Sequence, residues 1–580
     1  MNKAIDFFLK PASIKQKQYE ALRAFHVDNE PADIVAKRFN YTLSSFYSLI
    51  RDFKMDLSGG KSDNYFFLYT QVGRKKKEFN DELDQFIIKL RKKYLSVSEI
   101  KMILDANEYD SSESHICAVL KREDFERLPR RDKKTKKTIH SRLAIEAPIA
   151  MKLEDKRDDF NTGSTGLLSF LPYIKHYKID KVIENSQYPE TKCIPRLNSI
   201  LSILALKLSN FSRYSKDDIW CMDRGLGMFS GLNVLPKAAW FSSYSSRVMK
   251  RMNVSFLKSM NEIWKESNLL SDTENLDFTT IPYWGDDTHL ENNWSGKRNK
   301  SLSSILAVLA HDPESGIITY GDTTIRHSNE SDTVLEFLDF YKESHGKDLR
   351  YLVFDSKFTT YQNLSKLDDD GIKFITIRRR GKNIVEELEN LPKDEWKKIR
   401  VEGSNGKKRS LKVNDSIQYL KGYKKEIRQI AITGNGKIKP ALIITNDFQT
   451  SKQQVVRKYA KRWLVEKTIS EQVHFFHINK VSSSMVIKVD FDLTMTILAY
   501  NLYRLLAQDL EDYSHLSAES IFDKFIRNSG FVEIGDNEII VNFKKKRNSP
   551  LLLTALQKYN TYNFEWLNGK KLDFQILSNS

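Results

Sequence analysis

The sequence predicts a multidomain α/β protein: an all-α N-terminal region, a helical middle domain, and a mixed sheet interrupted by a β-strand insertion. Three observations carry that expectation. The chain has 580 residues, too many for one hydrophobic core. Its apolar residues recur at helical spacing up to about residue 270. From 276 onward, short extended runs alternate with Gly, Pro and Asp turn signals.

Composition narrows the class further. With 40% apolar and 29% charged residues the chain is globular, and 93 Lys+Arg against 76 Asp+Glu leave a net charge of +17. That balance favours a polyanionic partner, nucleic acid ahead of an acidic membrane surface. No stretch reaches the 18 apolar residues of a membrane span, and MNKAIDFFLKP lacks the apolar run of a signal peptide. Cys117, Cys193 and Cys221 form neither a disulfide framework nor a zinc pattern. An intracellular, reduced location is expected.

The N-terminal region (1–130) contains two segments of one plan. Residues 14–52 read as a helix, the short helix PADIVAKRF, a turn at Asn40–Tyr41, and a third helix from Thr42; residues 82–121 repeat it. A short helix, a tight turn and a Ser/Thr-started helix describe a helix-turn-helix, with a plain three-helix bundle as the alternative. Small residues at Thr42, Ser45 and Ser114 let the backbone approach a major groove, where Tyr47, Arg51 or His115 can reach bases or phosphates. The stretch 121–142 holds ten Lys/Arg against four Asp/Glu and marks a basic linker (131–160) able to track phosphates. Residues 161–270 read as the helical domain, with no chemistry of their own.

The segment 271–381 reads strand, strand, strand, helix, strand, helix, strand, and the core resumes at 449–510 after a β-rich insertion at 382–448. This is the order of a ribonuclease H-like domain, in which the first and fourth strands lie side by side. Acids at the ends of those strands converge, so Asp286 in PYWGDD and Asp355 in YLVFD can share a divalent metal. Asp286 is preferred over Asp287 because it follows the strand and Gly285 directly. Hard oxygen ligands point to Mg²⁺, with Mn²⁺ as substitute. The bland alternative for Asp355 is a cap for the helix that starts near Thr359–Tyr361.

A third carboxylate is expected from one long helix over about 450–478. In YAKRWLVE, Tyr459, Arg462 and Glu466 share a face at i, i+3 and i+7. Glu471 is rotated well off that face. Trp294, near Arg298 in LENNWSGKRNK, can stack on a displaced base or pack on the sheet. The basic run 397–412 can touch DNA or stay solvated.

Together the stretches PYWGDD, YLVFDSKFTTY, GIKFITIRRRGK and YAKRWLVE resemble the DDE insertion-sequence transposases, in particular the insertion sequence four family of bacterial elements. ISEQVHFFHINKVSSSMVIKVDFDLTMTILAYNLYRLLA and, more weakly, KKKRNSPLLLTAL extend the likeness. It departs at position 473, a Val where the family signature has Lys. The resemblance implies that Asp286, Asp355 and Glu466 bind two metal ions and that Tyr459 and Arg462 grip terminal DNA phosphates. It further implies cut-and-paste transposition: binding of terminal inverted repeats, metal-dependent strand cleavage and strand transfer, on a homodimer holding double-stranded DNA. A membrane or small-molecule partner is not expected, and the implied location is the bacterial cytoplasm, at the nucleoid. The remaining 511–580 form a C-terminal region. Two rival readings share many of these features: a catalytically inactive, transposase-derived DNA-binding protein, and a ribonuclease H-like nuclease or resolvase without strand transfer.

Overall fold

The computed structural model describes residues 13–59, 81–92, 95–106, 109–123, 152–191, 193–212, 217–283, 290–295, 300–345, 349–355, 360–402, 408–434, 440–478 and 486–577, with 8, 11, 125 and 357 as single residues. The chain divides into two compact units, Met1–Asp81 and Glu82–Ser580.

The first unit holds helices Ile14–His26, Ala32–Arg38 and Leu43–Ser58. Local sequence sets their ends. Ser13 and Thr42 are N-caps whose hydroxyls accept from the Gln16 and Ser45 backbone N–H groups, at 3.1 and 3.2 Å. Between the last two helices Asn40 takes φ 54°, a left-handed turn that Asn tolerates. Ala21, Leu22, Val35, Phe46 and Ile50 fill the core.

The second unit opens with three more helices, Asp81–Lys92, Val97–Ala106 and Glu113–Arg122, packed through Ile87, Ile100, Leu104 and Ile116. The helices between 165 and 266 then share one continuous core with the main sheet and the C-terminal segment. At its centre runs Val486–Asp509, apolar on nearly all sides and therefore buried, with β5 (Ile318–Ile325) and the helix Arg196–Leu208 against it.

Among the described residues the main sheet has ten strands. Its first part comprises β2 (Thr273–Pro282), β4 (Lys300–His311), β5, β6 (Tyr351–Phe354) and β7 (Lys373–Ile377), in the order β5-β4-β2-β6-β7. β2 pairs antiparallel with β4 but parallel with β6, and β6 parallel with β7. The first and fourth strands are therefore neighbours, as expected from the sequence. Every residue of β6 is buried, which suits a central parallel strand covered on both faces. The insertion extends the same sheet: β11 (Ala441–Thr445) adds antiparallel to β7, followed outward by β10 (Glu426–Thr433), β9 (Lys408–Tyr419) and β8 (Lys397–Glu402). It begins with a helix, Lys382–Glu389. β3 (Asn292–Ser295) lies at the opposite edge on β4.

A second sheet, of five strands, ties residues far apart in the chain. β1 (Asp158–Thr162) pairs antiparallel with β12 (Gly530–Ile534), which continues into β13 (Glu538–Phe543), β15 (Lys570–Ile576) and β14 (Asn563–Phe564). The expected single helix over 450–478 is two, Lys452–Lys461 and Trp463–His474. The break falls at Arg462, whose N–H bonds the Tyr459 carbonyl at 3.1 Å in a tighter turn.

Candidate active site

The site is built on the parallel pair β2–β6. Thr273 pairs with Tyr351, Glu274 with Leu352 and Asn275 with Val353. The same register, carried two residues further, sets Asp277 level with Asp355. Side chains alternate along a strand, so Thr273, Asn275 and Asp277 share one face. Each meets the helical segment above it. Lys458 Nζ donates to Thr273 Oγ1 (3.2 Å), Asn275 Nδ2 to the Lys461 carbonyl (3.3 Å), and Arg462 Nη1 to Asp277 Oδ2 (2.5 Å). On β6, Tyr351 and Val353 pack with Val455 and Val456 on that same face, while Leu352 and Phe354 join the core behind.

Asp355 is half-buried at the tip of β6. It is not the cap of the following helix. Thr360 has that role, its hydroxyl accepting from the Asn363 backbone at 3.2 Å. Asp355 instead acts on Tyr459. Burial pushes the Tyr459 hydroxyl up to about 12; the Arg462 guanidinium opposes this, and the negative charges of Asp355 and Asp277 add to it. Arg462, 5.5 Å from the centre of the Tyr459 ring, completes a compact set of two acids, a phenol and a guanidinium.

Glu466 lies in the helix Trp463–His474, which packs on β2 and β4; its side chain is outside the described residues. Glu471 is turned elsewhere, accepting from the Ala518 backbone at 2.9 Å. Val473 packs against the main core. Asp286, Asp287 and Arg298 fall outside the described residues. The acid that the strand register sets beside Asp355 is Asp277, which the sequence reading passed over.

The other expected contact residues belong to other elements. Trp294 is 56% exposed on the strand β3. In the first unit, Tyr47 and Arg51 are exposed on the third helix, Arg51 beside Asp52 at 3.1 Å, whereas Thr42 and Ser45 bond each other at 2.8 Å. Ser114 is exposed. His115 Nε2 lies 3.2 Å from Asp84, which Arg122 also holds.

Residues 276–502 match one family model. It is the transposase DDE domain. The DDE match opens one residue before Asp277 and takes in Asp286, Asp355, Tyr459, Arg462 and Glu466, leaving the N-terminal helices outside. No curated protein matches the chain. Among solved structures, the crystal structure of a pre-cleavage Mos1 transpososome is similar at 8% identity over 62% of this chain and 77% of that one, with a TM-score of 0.13, too low a superposition to bear on the fold.

The donor chemistry of the DDE region fits a hard divalent cation. The carboxylates of Asp277 and Asp355 both act on Tyr459, and Asp277 already attracts positive charge, in the form of Arg462. Among the described residues no cluster of three metal-ligating side chains occurs. Oxygen-only ligands select Mg²⁺ or Mn²⁺ over softer metals.

Proposed function

We propose that this chain is a DNA transposase that cleaves and joins DNA strands at the ends of its own element, with Asp277, Asp355 and Glu466 as the acids of its active site. The observation that carries this reading is that Asp277, on β2, and Asp355, after the neighbouring parallel strand β6, both act on Tyr459, while the next helix, which bears Glu466, packs on β2. Asp277 takes the role that the sequence alone assigned to Asp286. The match to the transposase DDE domain supports the same chemistry.

The three carboxylates would hold Mg²⁺, which when bound polarises the phosphoryl oxygens and activates the attacking water or DNA 3′-hydroxyl. The chain's own residues do the rest. Tyr459, pushed up by burial, stays protonated at neutral pH and would donate its hydroxyl to a DNA phosphate. Arg462, which bonds Asp277 and lies against the Tyr459 ring, would offer a guanidinium fork to a phosphate. The helices Leu43–Ser58 and Glu113–Arg122 would read the element's terminal inverted repeats, and two copies of the chain would hold two ends.

The test is strand nicking of labelled duplex carrying the gene's own flanking ends, in Mg²⁺, Mn²⁺ or EDTA. Metal-dependent nicking is expected, abolished in Asp277→Ala, Asp355→Ala and Glu466→Ala while duplex binding persists. Nicking that survives Asp277→Ala but not Asp286→Ala would return the first acid to Asp286. End binding with no nicking in any metal would leave only a DNA-binding protein.

A further inference from the structure

The face that carries the paired acids has a second feature at its other end. A cavity of about 510 Å³ opens where β2 and β6 begin, lined by Asp272, Arg350, Tyr351, Arg457, Lys458 and Lys461 among others. Tyr351 is locked in place: its hydroxyl donates to Asp447 Oδ2 at 2.7 Å and lies 3.1 Å from Thr450 Oγ1. Lys458 Nζ sits 4.0 Å from the centre of that ring and the Arg350 guanidinium 5.4 Å from it. Lys461 is paired with Glu314. Among the described residues, Arg350, Arg457 and Lys458 have no carboxylate within ion-pair distance.

Three cations gathered at one cavity repel one another, and a half-buried ammonium has lost part of its hydration. Burial holds Lys458 below its usual value, with Asp272 and Glu314 opposing. Such a cluster is satisfied by an anion. Lys458 Nζ lies over the Tyr351 ring, so what the cavity offers a ligand there is positive charge, which suits a backbone phosphate better than a nucleobase. Thr273 at the cavity and Asp277 at the acid pair are four strand residues apart, about 13 Å, on one face. That is close to four rises of about 3.4 Å along one DNA strand.

We propose that this cavity binds a backbone phosphodiester of the DNA that lies across the acid pair, held by Arg350, Arg457 and Lys458. The identity of the ligand rests on the DNA-cleavage reading; the anion site itself rests on the cavity. A phosphate seated there anchors the duplex at a second point and fixes which phosphodiester reaches Asp277 and Asp355.

The test uses the full chain labelled with an amine-reactive ester at near-neutral pH, with modification of Lys458 read by mass spectrometry. Labelling is compared without additive, with a blunt duplex, and with inorganic phosphate at the same phosphate concentration. The duplex is expected to protect Lys458 about tenfold and inorganic phosphate not to. Arg350→Gln/Arg457→Gln, at two exposed positions, should keep the wild-type melting temperature, lose the protection, and lower the slope of log Kd against log salt by about 2. Unchanged labelling with duplex overturns the proposal, as does equal protection by inorganic phosphate, which would make this a small-anion site. A duplex that is nicked without protecting Lys458 overturns only the cavity's role; protection without nicking in any metal overturns only the cleavage reading.

Discussion

Arg462 Nη1 stands 2.5 Å from Asp277 Oδ2, joining the break between two helices to the middle of β2. The two side chains are only 7% and 13% exposed, so this is an ion pair largely removed from water. Removing one partner of such a pair strands the other charge. Asp277→Ala is expected to lower stability by about 3 kcal/mol, and Asp277→Ala/Arg462→Met to recover most of the loss. Urea unfolding of wild type, both single variants and the double variant measures the coupling, and purely additive losses would sink it.

The capping role belongs to Thr360, so stability and chemistry should separate on either side of it. Thr360→Ala is expected to cost about 1 kcal/mol by loss of the N-cap, with metal-dependent nicking retained. Asp355→Asn should abolish nicking at little cost in stability. Thermal melting alongside the nicking assay distinguishes the two; a larger melting loss in Asp355→Asn than in Thr360→Ala would contradict the assignment.

His311, at the end of β4, is fully buried, and burial pushes its imidazole down to about 4 despite the opposing charge of Asp312. The unfolded chain takes up a proton on this side chain near pH 6.5, which the folded chain does not take until about pH 4. Stability from this residue is therefore complete above pH 6.5 and declines as the pH falls towards 4, by up to about 3 kcal/mol. His311→Gln removes that term. Its unfolding free energy relative to wild type should rise by roughly 2 kcal/mol between pH 7 and pH 4.5, and a constant difference would refute the burial argument.

In the first unit, Arg51 is exposed on the helix that starts at Thr42, and among the described residues its guanidinium is paired only with its chain neighbour Asp52. If that helix meets DNA, Arg51→Ala should weaken duplex binding and lower the salt slope by about 1. Fluorescence anisotropy over a salt series reads both; an unchanged slope would take Arg51 out of the phosphate contacts.

The sheet was legible because its strands are separated by strong local signals. Pro313–Gly316 turns β4 into β5, and Gly371 at φ 77° turns the helix Tyr361–Asp369 into β7. Asp355 was legible as an acid at the tip of an all-apolar strand. Asp277 was not, because it sits within a strand, where an acid looks like an exposed position; only the β2–β6 register sets it beside Asp355. The break at Arg462 was hidden too, since Tyr459, Arg462 and Glu466 keep helical spacing across it. Trp294 has an edge-strand exposure that depends on which strand lies beyond β3, a tertiary fact. The second sheet was missed because β1 and β12, each five residues long, become strands only by pairing across the whole core.

That long pairing has a consequence for how the protein comes into being. Asp277 and Arg462 are 185 positions apart, and Asp158 of β1 pairs with Ile534 of β12. Contacts so distant along the chain form late and slowly, because the intervening loop must close before any of them is rewarded. The first unit, with its own local core, can fold as soon as it leaves the ribosome, whereas the acids remain dispersed until the helix beyond Arg462 has been synthesised. A growing or prematurely ended chain therefore carries its N-terminal helices while Asp277 and Arg462 stay apart: only near-complete translation brings that pair together.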